Sequence, residues 1–144
     1  MDSLQKRLNF LDAVVKELGL SNVRLCHARA EDGGRDPRWR ETFDVAVARA
    51  VAALPVLAEY LLPFVRVGGM ALCWKGPAVA GEQADGAAAA ARLGGRLLPL
   101  VDMEGSGEET GHVIAPMEKT EKTLPLYPRK NGMPAKRPLK ADKS

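Results

Sequence analysis

The sequence predicts an α/β fold, a doubly wound sheet with an antiparallel pairing at its edge. Short apolar runs alternate with segments of helical periodicity, and the alternation ends in two adjacent strand-like runs. Ala, Val and Leu supply most of the apolar content, which suits helices packed on a parallel sheet. The 144 residues are enough for one such domain and too few for two comfortable ones.

The first segment predicts a helix. Asp2-Ser3 is a typical N-cap pair, and Gly19 is a typical C-terminal stop. Apolar residues follow the cap at helical spacing, namely Leu4, Leu8, Leu11, Val15 and Leu18. An acidic residue that opens a helix, followed by alternating strands and helices, is typical of the region after the second strand of a nucleotide-binding α/β fold. We therefore expect the chain to start beyond the Gly-rich turn of such a fold.

Two strands and a loop follow this helix. Asn22–His27 predicts a short strand, and the polar composition of Ala28–Thr42 predicts a loop. Phe43–Ala50 is a nearly continuous apolar run, which is typical of a strand covered on both faces. These segments give the first strand-loop-strand unit of the expected sheet.

A second helix, a turn and a third strand come next. The helix has Pro55 in its first turn, where proline is tolerated, and Pro63 near its end. Its apolar stripe consists of Leu54, Leu57, Leu61 and Leu62. Gly68-Gly69 predicts a turn that leads into the strand Met70–Trp74.

The last elements before the tail are a helix and two strands. The Ala-rich segment Ala78–Leu93 predicts a helix that ends at Gly94-Gly95. Arg96–Val101 and His112–Met117 predict strands that are joined by the acidic loop Asp102–Gly111. The Gly-Ser-Gly sequence in this loop is not interpreted as a phosphate-binding loop, because no helix N-terminus follows it.

Residues 120–144 predict an extended basic tail behind a partial domain of residues 1–119. The tail contains Pro125, Pro128, Pro134 and Pro138, which exclude regular structure. From Lys119 onward there are eight basic and two acidic residues, and this excess suits contact with a polyanion. Tyr127 can stack on an RNA base while the cations neutralise phosphates. A solvated, disordered terminus is the alternative.

The cysteines, histidines and apolar runs argue against a disulfide, a metal site and a membrane span. Cys26 and Cys73 lie inside apolar runs and are expected in the core. His27 and His112 lack neighbours at metal-ligand spacing. No apolar run approaches the ~20 residues of a membrane span, and no signal peptide is visible, so we expect a cytoplasmic protein. No nucleophilic triad or dyad is visible either.

Charged residues follow three of the predicted strands. Arg29 and Glu31 follow the first strand, Arg49 ends the second and Lys75 follows the third. Ligands of open α/β sheets bind at the carboxyl ends of the strands. An acidic side chain there can hold an adenine amino group or ribose hydroxyls, and cations can face phosphate. Ordinary surface charge is the alternative.

Five motifs, in this order and at suitable intervals, resemble the RsmG (GidB) family of bacterial 16S rRNA methyltransferases. They are Asp2-Ser3-Leu4-Gln5-Lys6-Arg7, Arg29-Ala30-Glu31, Ala48-Arg49-Ala50, Trp74-Lys75-Gly76 and Tyr127-Pro128-Arg129-Lys130. Each motif alone is weak, but five in register are specific. The resemblance covers the C-terminal part of a family member. It implies a Rossmann-like class I methyltransferase sheet that is truncated at its N-terminus.

The resemblance implies S-adenosyl-L-methionine as the cofactor. By correspondence, Asp2 and Ser3 lie beside the cofactor ribose, Ala30 and Glu31 lie beside the adenine, and Arg49 is the cofactor-site arginine. The resemblance also implies RNA contacts at eight basic positions, which are Lys6, Arg7, Arg29, Lys75, Arg129, Lys130, Lys136 and Arg137.

The implied reaction is methylation at N7 of guanine 527 in 16S rRNA, carried out without a metal by a monomer that acts on the small ribosomal subunit. Guanine N7 has a lone pair and no proton to lose, so the reaction needs positioning rather than a general base. The lack of a catalytic dyad agrees with this chemistry. Gly111 stands next to His112 where many family members have an arginine, so we expect that arginine's contact to be missing.

Three alternatives remain open at this stage. An inactive fragment and a non-enzymatic RNA-binding module both carry the same motifs. An oxidoreductase that uses a dinucleotide fits the α/β pattern but not the tail. Without the family's first two strands, Val23–His27 and Phe43–Ala50 lack neighbours, and each unpaired buried backbone group costs about 1–3 kcal/mol. We therefore expect the isolated chain to bind S-adenosylmethionine poorly or not at all.

Overall fold

A mixed five-stranded sheet forms the centre of the computed structural model, which describes residues 1–49, 52–103 and 111–142. The strands are β1 (Phe43–Arg49), β2 (Val65–Lys75), β3 (Gly95–Leu97), β4 (Val101–Asp102) and β5 (Val113–Lys119). Their order is β1-β2-β5-β3, with β4 also paired to β5. β1 and β2 are parallel, and β5 is antiparallel to its three partners. The α/β class is confirmed, and so is the predicted antiparallel pairing at the edge of the sheet, where β3 and β4 pair with β5.

Five helices of the described residues accompany this sheet. They are α1 (Gln5–Glu17), α2 (Ala30–Gly33), α3 (Leu54–Leu61), α4 (Gln83–Arg92) and α5 (Met133–Lys136), with 3-10 turns at Leu62–Phe64 and Pro77–Glu82. The predicted leucine stripe is confirmed, because Leu54, Leu57, Leu61 and Leu62 are all buried. Two of the helices, α3 and α4, pack against each other and against the strands, so the core lies between these helices and the sheet.

The first helix is confirmed, but its surroundings differ from the prediction. It begins at Gln5 with Leu4 as the N-cap residue and without a side-chain cap, so the interpretation of Asp2-Ser3 as the cap was wrong. Gly19, at φ +61°, follows the helix end as predicted. Leu8 is buried, whereas Leu4, Leu11 and Leu18 are exposed. The apolar face of α1 is thus largely uncovered by the described residues.

The predicted strand Asn22–His27 does not form. Its one ladder contact is a parallel bridge between Asp2 and His27. The Asp2 amide donates to the Cys26 carbonyl at 3.1 Å, and the Ala28 amide donates to the Asp2 carbonyl at 3.1 Å. A strand requires a neighbouring extended segment, and within the described residues only Asp2 lies alongside.

β1 is confirmed as a strand, but it is not covered on both faces. Within the described part of the chain it pairs only with β2. Val45 is 49% exposed and Val47 is 70% exposed. The predicted end of this strand, Ala50, lies outside the described residues. The predicted burial on both faces was wrong, because none of the residues Phe43–Arg49 is buried by the described part of the chain.

Gly68-Gly69 is a bulge inside β2 rather than a turn before it. The pairing jumps from Phe43 opposite Val65 to Val45 opposite Met70. Gly68 has φ +87°, and a Cβ on Gly69 would lie 2.7 Å from Val65 Cγ1 and against the carbonyl oxygen of Asp44. The two glycines therefore permit an irregular strand, and the predicted turn before Met70 was wrong.

Three further segments are divided more finely than predicted. The polar loop Ala28–Thr42 contains α2, Ala78–Leu93 splits into a 3-10 turn and α4, and Arg96–Val101 splits into β3 and the start of β4. Most of the loop Asp102–Gly111, with its Gly-Ser-Gly sequence, lies outside the described residues. In each case a short element depends on contacts that local sequence does not reveal.

The tail is folded back onto the domain, which differs from the extended conformation that its prolines predicted. It contains α5, and Tyr127, Pro128, Pro134 and Leu139 are buried. Two of these prolines act as apolar packing groups instead of keeping the segment extended. The prediction of a tail without regular structure was therefore wrong for the described residues 120–142.

Candidate functional site

A cleft of about 1190 Å³ lies between β1 and the N-terminal segment. Apolar side chains from β1, α3 and the following turn line it, namely Val45, Ala46, Val47, Ala48, Leu57, Leu61 and Phe64. The opposite side consists of Met1–Ser3 and part of the segment from Arg24 to Glu31. The arrangement joins an apolar surface to a polar rim, as is typical of small-molecule sites.

Four of the five residues predicted to bind the cofactor line this cleft. They are Asp2, Ser3, Ala30 and Glu31. The fifth, Arg49, is not among the lining residues; its guanidinium carbon lies 5.6 Å from the centre of the Trp74 ring. The structure thus brings together the residues from the two N-terminal motifs and leaves Arg49 at the end of β1.

The Asp2 carboxylate is an ionised acceptor at the rim of the cleft. Its Oδ1 accepts from the Leu4 amide at 2.8 Å, and its Oδ2 lies 3.5 Å from Arg7 Nη1. The Leu4 amide, more than the Arg7 guanidinium, lowers the pKa of Asp2 below its usual range. The Asp2 carboxylate is therefore negatively charged at neutral pH, and α/β folds place such a carboxylate where it accepts from ribose hydroxyls.

Glu31 is the second carboxylate of the cleft, and it is almost fully buried at 4% exposure. It lies in α2, and its Oε1 accepts from the Gly132 amide at 3.0 Å. The next residue, Asp32, accepts from Asn131 Nδ2 at 2.9 Å. The tail thus contacts the cleft through backbone and side-chain donors.

Sequence reasoning missed several residues that line the cleft. Tyr60 lies in α3, and its burial, followed by the nearby Glu31 charge, raises the pKa of its phenol. Trp39 lies under the Arg38 guanidinium, whose carbon is 5.0 Å from the ring centre. Arg24 also lines the cleft. Trp39 and Arg24 lie in loops, and Tyr60 lies between the leucines of the α3 stripe. The periodicity of apolar residues therefore does not identify them.

Two of the predicted RNA-binding cations are engaged inside the protein. Lys75 Nζ donates to the Ala52 carbonyl at 2.8 Å and pairs with Glu82 Oε2 at 2.9 Å. Arg129 Nη2 lies 2.6 Å from Glu59 Oε2, and Glu59 is fully buried. The hydrogen bond to Glu59 raises the pKa of Arg129.

The other six predicted RNA-binding residues are exposed. They are Lys6, Arg7, Arg29, Lys130, Lys136 and Arg137. Arg7 and Arg29 line the cleft, where Arg24 and Arg38 add further positive charge. Lys130, Lys136 and Arg137 lie on the folded tail. Five of the six, all except Arg7, form no salt bridge with another described residue.

The described ranges contain no cluster of three metal-ligating side chains. His27 Nε2 lies 3.0 Å from the Ser3 carbonyl oxygen, and His112 packs edge-on against Trp74. Burial raises the pKa of the Cys73 thiol to about 12, which makes it an inert core residue as predicted, whereas Cys26 is only half-buried. Among the helices of the described residues, none is long and apolar enough to cross a membrane.

Comparison with known proteins agrees with the motifs. Residues 1–109 match the model of the family rRNA small subunit methyltransferase G. The chain is 44% identical over 140 residues to a protein named ribosomal RNA small subunit methyltransferase G from Clostridium botulinum (strain Alaska E43 / Type E3), which covers 97% of this chain and 59% of that protein. Proteins of the same name from Brevibacillus brevis and Desulfitobacterium hafniense are 47% and 46% identical, each over 96% of this chain and 58% of the relative. The chain thus spans less than two thirds of the length of these relatives.

Proposed function

The chain belongs to the rRNA small subunit methyltransferase G family, and from this premise we propose that it contributes to methylation of guanine 527 at N7 in 16S rRNA, with S-adenosyl-L-methionine as the methyl donor. The observation that carries the proposal is the pair of carboxylates, Asp2 and Glu31, on one apolar cleft. We propose that the substrate is ribosomal RNA in the cytoplasm and that the protein acts as a monomer.

The residues of the cleft suit the adenosine part of the cofactor. Asp2 Oδ1 is held by the Leu4 amide, which leaves Oδ2 to accept from ribose hydroxyls. Glu31 Oε1 is held by Gly132, which leaves its second oxygen for an adenine amino group. Ala30 and the valines of β1 offer the apolar surface that an adenine ring needs. Arg49, at the end of β1, is proposed to face the cofactor from outside this cleft.

Methyl transfer to guanine N7 requires the protein to position the two reactants. The bound cofactor supplies an electrophilic methyl group. Guanine N7 attacks with an existing lone pair, so none of the side chains has to remove a proton first. In this proposal Asp2 and Glu31 bind and orient the cofactor, and the apolar surface of β1 contacts the adenine ring. No residue has a proton-transfer role.

The exposed cations are proposed to hold the RNA backbone. Arg7 and Arg29 line the cleft, Lys6 precedes Arg7 on α1, and the tail adds the exposed cations Lys130, Lys136 and Arg137. Cations of this kind bind phosphates through counterion release, which is sensitive to salt. We assign Lys75 and Arg129 to the fold, because Lys75 is itself buried beside Glu82 and Arg129 pairs with the buried Glu59.

An S-adenosylmethionine titration followed by amide NMR tests the cofactor proposal. We expect weak binding, with the largest chemical-shift changes at Ser3, Ala30 and Glu31. Glu31→Gln removes the charge that accepts the amino group and reduces these changes. Asp12→Asn removes an exposed carboxylate from α1 and serves as the control. Changes that are confined to other surfaces, or equal in both variants, would refute the assignment of the cleft.

A non-enzymatic RNA-binding module is the second candidate. It is favoured by the basic tail, which is folded over the described residues 120–142 and exposes Lys130, Lys136 and Arg137. We expect the chain to bind a 16S rRNA fragment with an affinity that falls as salt rises. Lys130→Gln weakens this binding, whereas Lys16→Gln, which lies on α1 in a pair with Asp12, changes it less. RNA binding without any cofactor-induced shift in the cleft selects the module over the enzyme.

A further inference from the structure

The tail crosses α2 at the carboxylate that faces the cleft. We call the segment Tyr127–Lys136 the strap. Its Gly132 amide donates to Glu31 Oε1 at 3.0 Å, and its Asn131 side chain donates to Asp32 at 2.9 Å. Gly132 has φ +80°, a conformation that glycine adopts with little strain. Two consecutive residues of the strap thus hold two consecutive residues of α2.

The strap is itself fixed to the body of the protein. Arg129 donates three side-chain hydrogen bonds and its backbone amide to Glu59, at distances from 2.6 to 3.1 Å. Glu59 is fully buried in α3. Arg35 and Arg40 donate to the Pro128 and Tyr127 carbonyls at 2.7 and 2.8 Å. The loop that contains α2 and the helix α3 are therefore both joined to the same few residues of the tail.

α2 depends on such contacts for its position. A helix of four residues is too short to be stable by itself. Its end leads into Gly33 and Gly34, where an added Cβ would lie 2.8 Å from the Phe64 ring and 3.1 Å from the Pro128 ring respectively. The packing is close on the sides formed by the 3-10 turn and by the strap. Movement of the strap would thus move the Glu31 carboxylate.

We propose that Arg129 and Gly132 are positioning residues, which act through the strap to hold the Glu31 carboxylate at the cleft. The inference rests on the proposed function in one respect, namely that Glu31 faces the cofactor. It adds a structural connection between the two parts of that function, cofactor binding and RNA binding. The strap also carries the exposed cations Lys130 and Lys136, so RNA contact and cofactor contact meet on one short segment.

Hydrogen exchange in the ligand-free chain tests the link. Arg129→Gln removes the ion pair to Glu59, and we expect the amides of Gly33, Gly34 and Gly132 to exchange about tenfold faster. The comparison is corrected for the change in global stability, measured by urea unfolding. Lys130→Gln removes the same charge from the adjacent exposed residue and leaves these exchange rates unchanged. Arg129→Lys restores the charge without the forked geometry and recovers part of the protection.

A spectroscopic signature separates positioning from general stability. The Gly132 amide donates to the Glu31 carboxylate, so its chemical shift depends on the charge of that group. Glu31→Gln removes this charge and shifts the Gly132 amide signal. Should Arg129→Gln unfold the chain, Asn131→Ala removes only the exposed bond to Asp32 and provides the same exchange comparison.

Two results would overturn the proposal. One is equal exchange of the α2 amides in Arg129→Gln (or Asn131→Ala) and Lys130→Gln. The other is a Gly132 signal that does not respond to the charge on Glu31. Both measurements use the chain without cofactor or RNA. A result that overturns the role of the strap is therefore distinguishable from a result that overturns the proposed methyltransferase function.

Discussion

At the scale of single residues, buried charges explain how the tail is joined to the sheet. Lys119 is fully buried, and its Nζ lies 2.8 Å from the Leu62 carbonyl oxygen and 3.0 Å from Glu41 Oε1. Burial lowers the pKa of Lys119. Burial on its own would raise the pKa of Glu41, but the Thr123 amide and Lys119 outweigh it and the pKa is lowered.

The lowered pKa of Glu41 predicts acid sensitivity. A carboxylate whose pKa is lower in the folded state stabilises that state above its ordinary value of 4.5, and this contribution is lost as the pH falls below that value. We expect the free energy of unfolding by urea to fall as the pH drops below 4.5. Glu41→Gln reduces this slope and lowers stability at neutral pH by about 1–3 kcal/mol, because Lys119 loses its counter-charge.

The exposed Glu121 provides the control for that measurement. Glu121→Gln should leave both the slope and the neutral stability close to those of the parent chain. A pH slope of the same size in Glu41→Gln and in the parent would show that Glu41 is not the group responsible.

At the scale of elements, the bulge in β2 sets the register of the parallel pair. The chain gains extra residues between the partners of Phe43 and Val45, and Gly69 lies against the Asp44 backbone. Gly69→Ala is expected to destabilise the chain by about 1–3 kcal/mol, since the added methyl overpacks a buried site. Urea unfolding measures this loss.

Gly76→Ala is the matched control, because a Cβ at Gly76 meets no atom within 4 Å and φ there is −83°. Its free energy of unfolding should change little. Equal stabilities of the two variants would contradict the register described for β1 and β2.

The elements also show what local sequence can predict. α3 was predicted well, because its leucine stripe and early proline are local signals. The strand Asn22–His27 was predicted wrongly, because strand formation depends on a partner that the local pattern does not reveal. The bulge was mistaken for a turn, since both use glycine with positive φ.

At the scale of the whole molecule, the cleft lies against β1, the strand at the end of the described sheet. Four predicted cofactor residues meet at the cleft because short motifs before and within α2 are folded toward β1. Motif resemblance identified them, although spacing alone did not place them side by side. The ion pairs of Lys75 and Arg129 were not predictable, because their partners Glu82 and Glu59 come from other elements.

The exposed valines of β1 indicate how tightly the cleft of this chain can bind a ligand. Val45 and Val47 line it and are about half and more than two thirds exposed. In our proposal a ligand there contacts one apolar wall and two carboxylates, and solvent reaches the site along the edge of β1 that has no partner strand among the described residues. We therefore expect weak affinity for the cofactor, since a small molecule normally needs most of its surface buried.

Calorimetric titration of S-adenosylmethionine into the 144-residue chain tests the central claim most directly, namely that this chain provides one carboxylate-lined wall of a cofactor site. The account predicts weak binding that does not saturate at micromolar ligand, and a further loss in Glu31→Gln. Tight, saturable binding by the isolated chain would contradict it, because the cleft would then be a complete site.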